Sequence, residues 1–178
     1  MKIIKNGRLF AVLIVLIRFL FGLGWLLAGV TKITEKLWFK EPGVFLNNYL
    51  LHSLQSSNVP AFYKTFIETI VLEHVLVLNY MIPIAQIILG LFLITGLFIL
   101  PSILICLFMH INFILSGNMN LISLILYTNA FSLLMFRSNM YSFSLDKYFH
   151  LDTLFINKKR KIKTFSISAK KEKLSVHS

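Results

Sequence analysis

Charged side chains are scarce in this chain, and acidic ones are the scarcest. Of 178 residues only 14% are charged and only 7 are Asp or Glu, against 57% that are hydrophobic. A soluble domain carries a charge on about a quarter of its residues, so the composition argues against a soluble globular protein. Together with a mean hydropathy of +0.76, it predicts an integral membrane protein.

Cysteine is almost absent, since Cys106 is the single one. This excludes an intramolecular disulfide and a thiol oxidase that works through a pair of cysteines. Cys106 and His110 lie in the same apolar run, but one Cys and one His do not make a metal site. No ligand set for a flavin, a haem or an iron–sulfur cluster is visible. We therefore expect no metal, no flavin and no haem.

Four apolar runs cover most of the chain, at about 10–30, 79–100, 101–116 and 120–136. A helix of about 20 residues crosses a bilayer core of about 30 Å. The first two runs meet that length, while the last two are short and require little tilt or thinned lipid. Arg18 interrupts the first run, which is too long for a signal peptide. The pattern predicts an all-α membrane protein, a four-transmembrane-helix antiparallel bundle in one domain over 1–149.

The distribution of basic residues predicts the orientation. They precede the first run and follow the fourth, whereas the loop 31–78 is near neutral, with lysines balanced by glutamates at Lys32, Lys36, Lys40, Lys64, Glu35, Glu41, Glu68 and Glu73. The positive-inside rule then places both termini in the cytoplasm of a multi-pass plasma-membrane protein. The excess positive charge is accounted for by topology, so nucleic acid is not an expected partner.

Two segments outside the runs have predicted roles. In the loop 31–78 a turn is expected at 56–60, followed by Phe62, Phe66 and Ile70 at helical spacing. This predicts an extracytoplasmic amphipathic helix, either a cap on the bundle or a lid over a lipid-soluble substrate. The basic segment 150–178 is predicted to be a disordered cytoplasmic tail that either fixes the topology or attracts anionic lipid headgroups.

One face of the first run carries Arg18, Gly22, Trp25, Gly29 and Lys32 at steps of four and three residues. Such spacing places all five on one side of a helix. Glycines let a neighbouring helix approach closely, so this face is predicted to point into the bundle. A charged side chain inside a membrane faces a partner or a cavity rather than lipid.

The other runs each contribute polar groups at comparable depth. Arg18 and His110 lie roughly 12 and 13 Å from the inner side, by the rise of a helix. The amides near the middle of the bilayer are Gln86, Asn112 and Asn129. These groups are either interhelical hydrogen-bonding pairs or a site. We expect Arg18 to have a polar partner, with His110 and Asn129 nearest in depth and Asp146 the acidic candidate near the inner surface.

The stretch RFLFGLGWLLAGVTKIT resembles the first-helix signature of the DoxX/DoxD-like membrane proteins. IPIAQIILGLFLITGL, MHINFILSGNMN and YSFSLDKYF resemble later parts of that family, in the same order. The resemblance implies a four-helix bundle with cytoplasmic termini, in a family that includes a subunit of thiosulfate–quinone oxidoreductase and partners in thiol and oxidant defence. Two positions depart from the family pattern: Gln86 stands where a glutamate is frequent, and Leu121 where a proline is usual.

Two functions follow as hypotheses. In the first, the chain is a redox-associated subunit that binds a quinone in the bundle and receives electrons from a partner redox subunit. Arg18 and His110 would then be catalytic, one stabilising charge on the reduced quinone and the other relaying a proton. The expected quinone-binding residues are Trp25, Gln86, Asn112 and Asn129. In the second, the chain is a non-catalytic membrane scaffold for another enzyme, and tight packing around Arg18 would favour it.

Overall fold

The computed structural model describes residues 2–151 and 153, with side chains from residue 7 onward. These residues form helices and contain no strand, so the prediction of an all-α protein is confirmed. The elements are α1 (Lys2–Thr34), α2 (Val44–Gln55), α3 (Ala61–Phe66), a π-helical turn (Ile67–Val71), α4 (Val75–Thr95), α5 (Ile99–Leu115), α6 (Leu121–Met135), α7 (Arg137–Met140) and α8 (Leu145–Tyr148). The predicted tail, 150–178, lies almost entirely outside the described residues.

Among the described residues, two helices are long and apolar enough to cross a membrane, over Gly7–Thr34 and Val75–Thr95. The helices Ile99–Leu115 and Leu121–Met135 are apolar but shorter. Each predicted run thus corresponds to one helix, although the boundary between the second and third runs differs from the expected 100/101. α4 ends earlier because Gly96 and Phe98 adopt left-handed backbone conformations, with φ of 74° and 48°. This turn lets α5 begin at Ile99, two residues before Pro101.

α1 and α4 pack with their backbones in close contact. A Cβ added at Gly90 would lie 2.6 Å from the Leu26 backbone nitrogen, and one at Gly22 would lie 2.9 Å from the Gly90 carbonyl oxygen. A Cβ added at Gly29 would lie 2.8 Å from the carbonyl oxygen of Pro83. Only hydrogen fits at these points, which is how small residues bring membrane helices together.

The inward face predicted for α1 is confirmed by burial. Arg18 and Trp25 are each 2% exposed, and Gly22 and Gly29 are buried with them. Lys32 is partly buried at the end of the face, where its Nζ lies 5.6 Å from the centroid of the Phe113 ring.

The segment between α1 and α4 differs from the single amphipathic helix that the spacing predicts. The turn at 56–60 is present, but α2 precedes it, and α3 passes through the π-helical turn before α4 begins. The predicted apolar residues share an exposed face, with Phe62 and Ile70 66% and 50% exposed, whereas Tyr63 and Ile67 are buried against the rest of the protein. Spacing alone identified the exposed apolar side chains and missed that a tyrosine packs inward.

The bundle has two chemically different ends. The basic end contains the start of α1, the turn 96–98 and the segment 136–149, joined where the Phe10 and Phe136 rings lie 4.9 Å apart. The capped end contains the end of α1, the segment 35–74 and the turn 116–120, joined where the Tyr49 hydroxyl lies 2.7 Å from Ser116 Oγ. α5 and α6 therefore run the length of the bundle between these ends.

Candidate functional site

Arg18 is fixed by backbone carbonyl groups at the basic end. Its Nη1 donates to Met140 O at 2.7 Å and to Ser142 O at 3.3 Å, and its Nη2 donates to Phe143 O at 3.1 Å. The expectation of a polar partner inside the bundle is confirmed, but the expected partners His110 and Asn129 are wrong. The long side chain reaches toward the end of the bundle, where the last residue of α7 and the turn after it present three carbonyl oxygens to one planar guanidinium.

Asp146, the acidic candidate for Arg18, lies in the same cluster, but its hydrogen bonds go to the backbone rather than to Arg18. Its Oδ1 accepts from Phe98 N at 2.7 Å and its Oδ2 accepts from Ile99 N at 2.8 Å. Its own backbone N donates to Gly96 O at 2.9 Å. The buried carboxylate therefore binds the first N–H groups of α5, where a negative charge also complements the helix dipole. A Cβ added at Gly96 would lie 3.1 Å from Arg18 Cζ, so the two charges flank the same turn.

His110 joins α5 to α6. Its Nε2 lies 2.8 Å from Ser123 O, and because a carbonyl only accepts, Nε2 carries the proton. The ring stacks on Tyr127 at 5.7 Å and meets Trp25 edge-on at 6.3 Å. Trp25 is seven residues beyond Arg18 on α1, roughly 10 Å along the axis. Arg18 and His110, the two residues predicted to be catalytic, thus have separate sets of partners.

The three amides occupy three different environments. Asn112 accepts from the Tyr63 hydroxyl at both its backbone O and its Oδ1, each at 3.1 Å, which places it at the capped end. Asn129 is half-buried on α6. Gln86 is 1% exposed on α4, and its Oε1 has no hydrogen-bond donor among the described residues.

Two buried polar atoms near the middle of the bundle have no partner among the described residues. They are Trp25 Nε1 and Gln86 Oε1, one a donor and the other an acceptor. A buried polar group without a partner costs about 1–3 kcal/mol in stability. At these two atoms the described residues supply no hydrogen-bond partner. No group of three potential metal ligands is present among the described residues.

Two surface cavities lie away from this layer. A cleft of about 710 Å³ opens at the basic end beside Arg8, Ser142 and Lys147. A smaller one of about 280 Å³ lies near Glu35 and Phe45 on the other side of the molecule. Neither is lined by Arg18, Trp25 or His110, which are 2%, 2% and 5% exposed.

Sequence reasoning missed the carbonyl partners of Arg18, because every residue has a carbonyl and none leaves a signature. It also missed the capping role of Asp146, which the Ser-Leu-Asp order before a short helix and the neighbouring Gly96 turn only hint at. Ser53 was missed as well; its hydroxyl donates to Ser116 O at 2.9 Å and holds α2 against the end of α5.

At the other departure from the family pattern, Leu121 takes the first helical position of α6, where a proline would also fit.

Comparison with protein-family models, with curated proteins and with solved structures finds no match to this chain. The resemblance to the DoxX/DoxD-like proteins therefore stays a prediction from the quoted stretches.

Proposed function

We propose that the chain is a four-span integral membrane protein with both termini in the cytoplasm. Large apolar side chains point outward on α1, α4, α5 and α6, where lipid would cover them. Examples, each more than two-fifths exposed, are Leu16, Leu20, Ile88, Leu91, Leu104, Phe108, Leu124 and Phe131. The positive charges at the basic end support the orientation. Reporter fusions at Gln55 and at the C-terminus should be active in opposite compartments, and a reporter at Gln55 that is active in the cytoplasm would contradict it.

The function that the geometry supports best is a non-catalytic membrane scaffold, an assembly partner of another enzyme. The observation that carries it is the binding of Arg18 to Met140 O, Ser142 O and Phe143 O. Three of the five guanidinium N–H groups of Arg18 thus donate to backbone carbonyl groups of this chain, while its buried Nε has no acceptor among the described residues. His110 and Asp146 are likewise engaged with backbone groups of neighbouring elements. The charged interior therefore holds the bundle together, and the function belongs to its outer surfaces.

Quinone extraction tests this proposal. The full chain, purified with native lipids from quinone-containing membranes, should carry no more quinone per protein than a Trp25→Phe/His110→Gln variant purified in the same way. Stoichiometric quinone in the original chain that is lost from the variant, at equal helix content by circular dichroism, would contradict the scaffold.

A second candidate is the redox-associated subunit of DoxX/DoxD-like type, with quinone bound between α1, α4 and α5. The observations that favour it are two buried polar atoms without a partner among the described residues, Trp25 Nε1 and Gln86 Oε1, and the Trp25 ring 6.3 Å from the His110 ring. Quinone oxygens accept hydrogen bonds, so Trp25 would donate to one of them. His110 would relay a proton to the quinone as it is reduced. Electrons would come from a partner subunit, and Arg18 would act by positioning the basic end. The extraction experiment distinguishes this function from the scaffold.

A further inference from the structure

The cleft of about 710 Å³ at the basic end has walls of two kinds. Arg8 and Lys147 provide positive charge from α1 and α8. Val12 and Phe143 provide apolar surface, and Tyr148 adds an aromatic ring with a hydroxyl. A site with a cationic mouth and an apolar wall suits a molecule that has an anionic head and a hydrocarbon chain.

No described residue forms an ion pair with the two cations that line the cleft. The Arg8 and Lys147 side chains are exposed. No acidic residue that the structure describes lines the cleft. The nearest acid in sequence, Asp146, is fully buried with both oxygens bound to the backbone of α5. The positive charge of the mouth is therefore not compensated from within the described protein.

The apolar wall is held in place by the interior cluster. Phe143 has a left-handed backbone, with φ of 50°, and its side chain is 78% exposed. Such a conformation costs a non-glycine residue about 1–2 kcal/mol, and it persists here because Arg18 Nη2 binds the Phe143 carbonyl oxygen at 3.1 Å. Strained residues held by their surroundings cluster at ligand sites. The Phe143 backbone is thus held beside the cleft by Arg18, with its ring exposed.

We infer that this cleft binds one anionic glycerophospholipid from the leaflet at the basic end, with its phosphate between Arg8 and Lys147 and an acyl chain along Val12 and Phe143. Basic groups near a bilayer attract such headgroups. The chain's own C-terminal segment is a poor occupant, because it contains Lys158, Lys159, Arg160 and Lys161 and would be repelled by the mouth. The inference goes beyond the proposed function and needs only that the bundle lies in a membrane.

The test uses the full chain in a neutral detergent, titrated with dioctanoyl phosphatidylglycerol and, separately, with dioctanoyl phosphatidylcholine. The variant is Arg8→Gln/Lys147→Gln. Its matched control, Lys40→Gln/Lys64→Gln, removes the same charge from the capped end. We expect phosphatidylglycerol to bind about 30-fold more weakly to the cleft variant, equivalent to about 2 kcal/mol at 1.4 kcal/mol per tenfold, with the control unchanged and the melting temperature of both variants close to that of the original chain.

Three results would overturn the inference. An equal loss in both double variants would mean a non-specific response to net charge. Full competition by inorganic phosphate at millimolar concentration would mean a free-anion site without the lipid chain. Loss of binding only when residues 158–161 are changed to Gln would assign the lipid to the tail. Reporter fusions test the topology independently, so a failure here is distinguishable from a failure of the membrane proposal.

Discussion

At the scale of single residues, Arg18 shows how a buried charge can be structural. Its three acceptors belong to the last residue of α7 and the turn after it, so one side chain fixes the position of a segment more than 120 residues away in sequence. Charge-assisted hydrogen bonds are each worth about 1.5–3 kcal/mol when made to an ionised group. Replacing a buried charge with an apolar side chain of similar volume is often neutral or stabilising in proteins. The carbonyl oxygens reverse that expectation, because they would lose their donors.

Replacing Arg18 therefore lowers stability in a graded way. Arg18→Lys keeps the charge but loses the planar fork, and we expect a loss of about 2 kcal/mol. Arg18→Leu leaves all three carbonyl groups without a donor and should lose more. Thermal unfolding in detergent measures both, with the lipid-facing Leu20→Ala as the control on the same helix. An Arg18→Leu protein at least as stable as the original would show that the cluster contributes nothing to the fold.

Gly96 is required by two independent features of its position. Its φ of 74° is left-handed, and a Cβ there would lie 2.6 Å from Ser144 Cβ and 2.9 Å from Ser144 Cα. Gly96→Ala should therefore lose about 2 kcal/mol or more, through backbone strain and overpacking. Gly7→Ala is the matched control, because nothing lies within 4 Å of its added Cβ and alanine favours the helix. Equal melting temperatures for the two variants would refute this account of the turn.

At the scale of helices, the α1–α4 pair depends on contact between backbones. The Cβ of Gly90→Ala would meet the Leu26 backbone, whereas that of Gly24→Ala would meet a methyl group of Leu126 at 2.9 Å. A leucine side chain can rotate away and a helix backbone cannot. We expect Gly90→Ala to lose about 1–3 kcal/mol and Gly24→Ala to lose clearly less in the same unfolding assay. The reverse order would mean that the two helices are not in this contact.

α3 is joined to α5 by the Tyr63 hydroxyl, and this contact has a pH signature. The pKa of Tyr63 is raised to about 12, mainly by burial and to a smaller extent by the neighbouring Tyr49. The unfolded chain loses the phenolic proton at its ordinary pKa near 10, so the folded state holds more protons above that pH. The contribution of Tyr63 is present below pH 10 and lost as the pH rises from 10 to 12. Tyr63→Phe should flatten this part of the stability curve, and an unchanged slope would contradict the contact.

The sequence predicts features that depend on residues close together in the chain, and it misses those that depend on contacts with distant segments. The inward face of α1 followed from the spacing of Arg18, Gly22 and Trp25, since helical periodicity and small residues are local properties. The partner of Arg18 could not be predicted, because it depends on how the turn after α7 folds back on the bundle. The same holds for Tyr63, whose burial is decided by α5 and not by the apolar period of its own helix.

At the scale of the whole molecule, the apolar surface and the two chemically different ends both fit a bundle that spans a bilayer. Outward side chains of all four long helices suit lipid, and the buried polar groups join the helices from within. α5 has 17 residues and α6 has 15, which correspond to about 26 Å and 22 Å of helix against a core of about 30 Å. Four spans therefore require locally thinned lipid around this pair. Whether α5 and α6 cross the membrane is the central point of the proposal.

Cysteine labelling at Asn118, in the exposed turn between α5 and α6, tests that point most directly. In a Cys106→Ser background, single cysteines at Asn118, at Gln55 and at Lys147 are treated with a membrane-impermeant maleimide, before and after permeabilisation of intact cells. The four-span account predicts labelling of Asn118→Cys and Gln55→Cys in intact cells, and of Lys147→Cys only after permeabilisation. Labelling of Asn118→Cys only after permeabilisation, alongside Lys147→Cys, would show that α5 and α6 do not cross and would contradict the account.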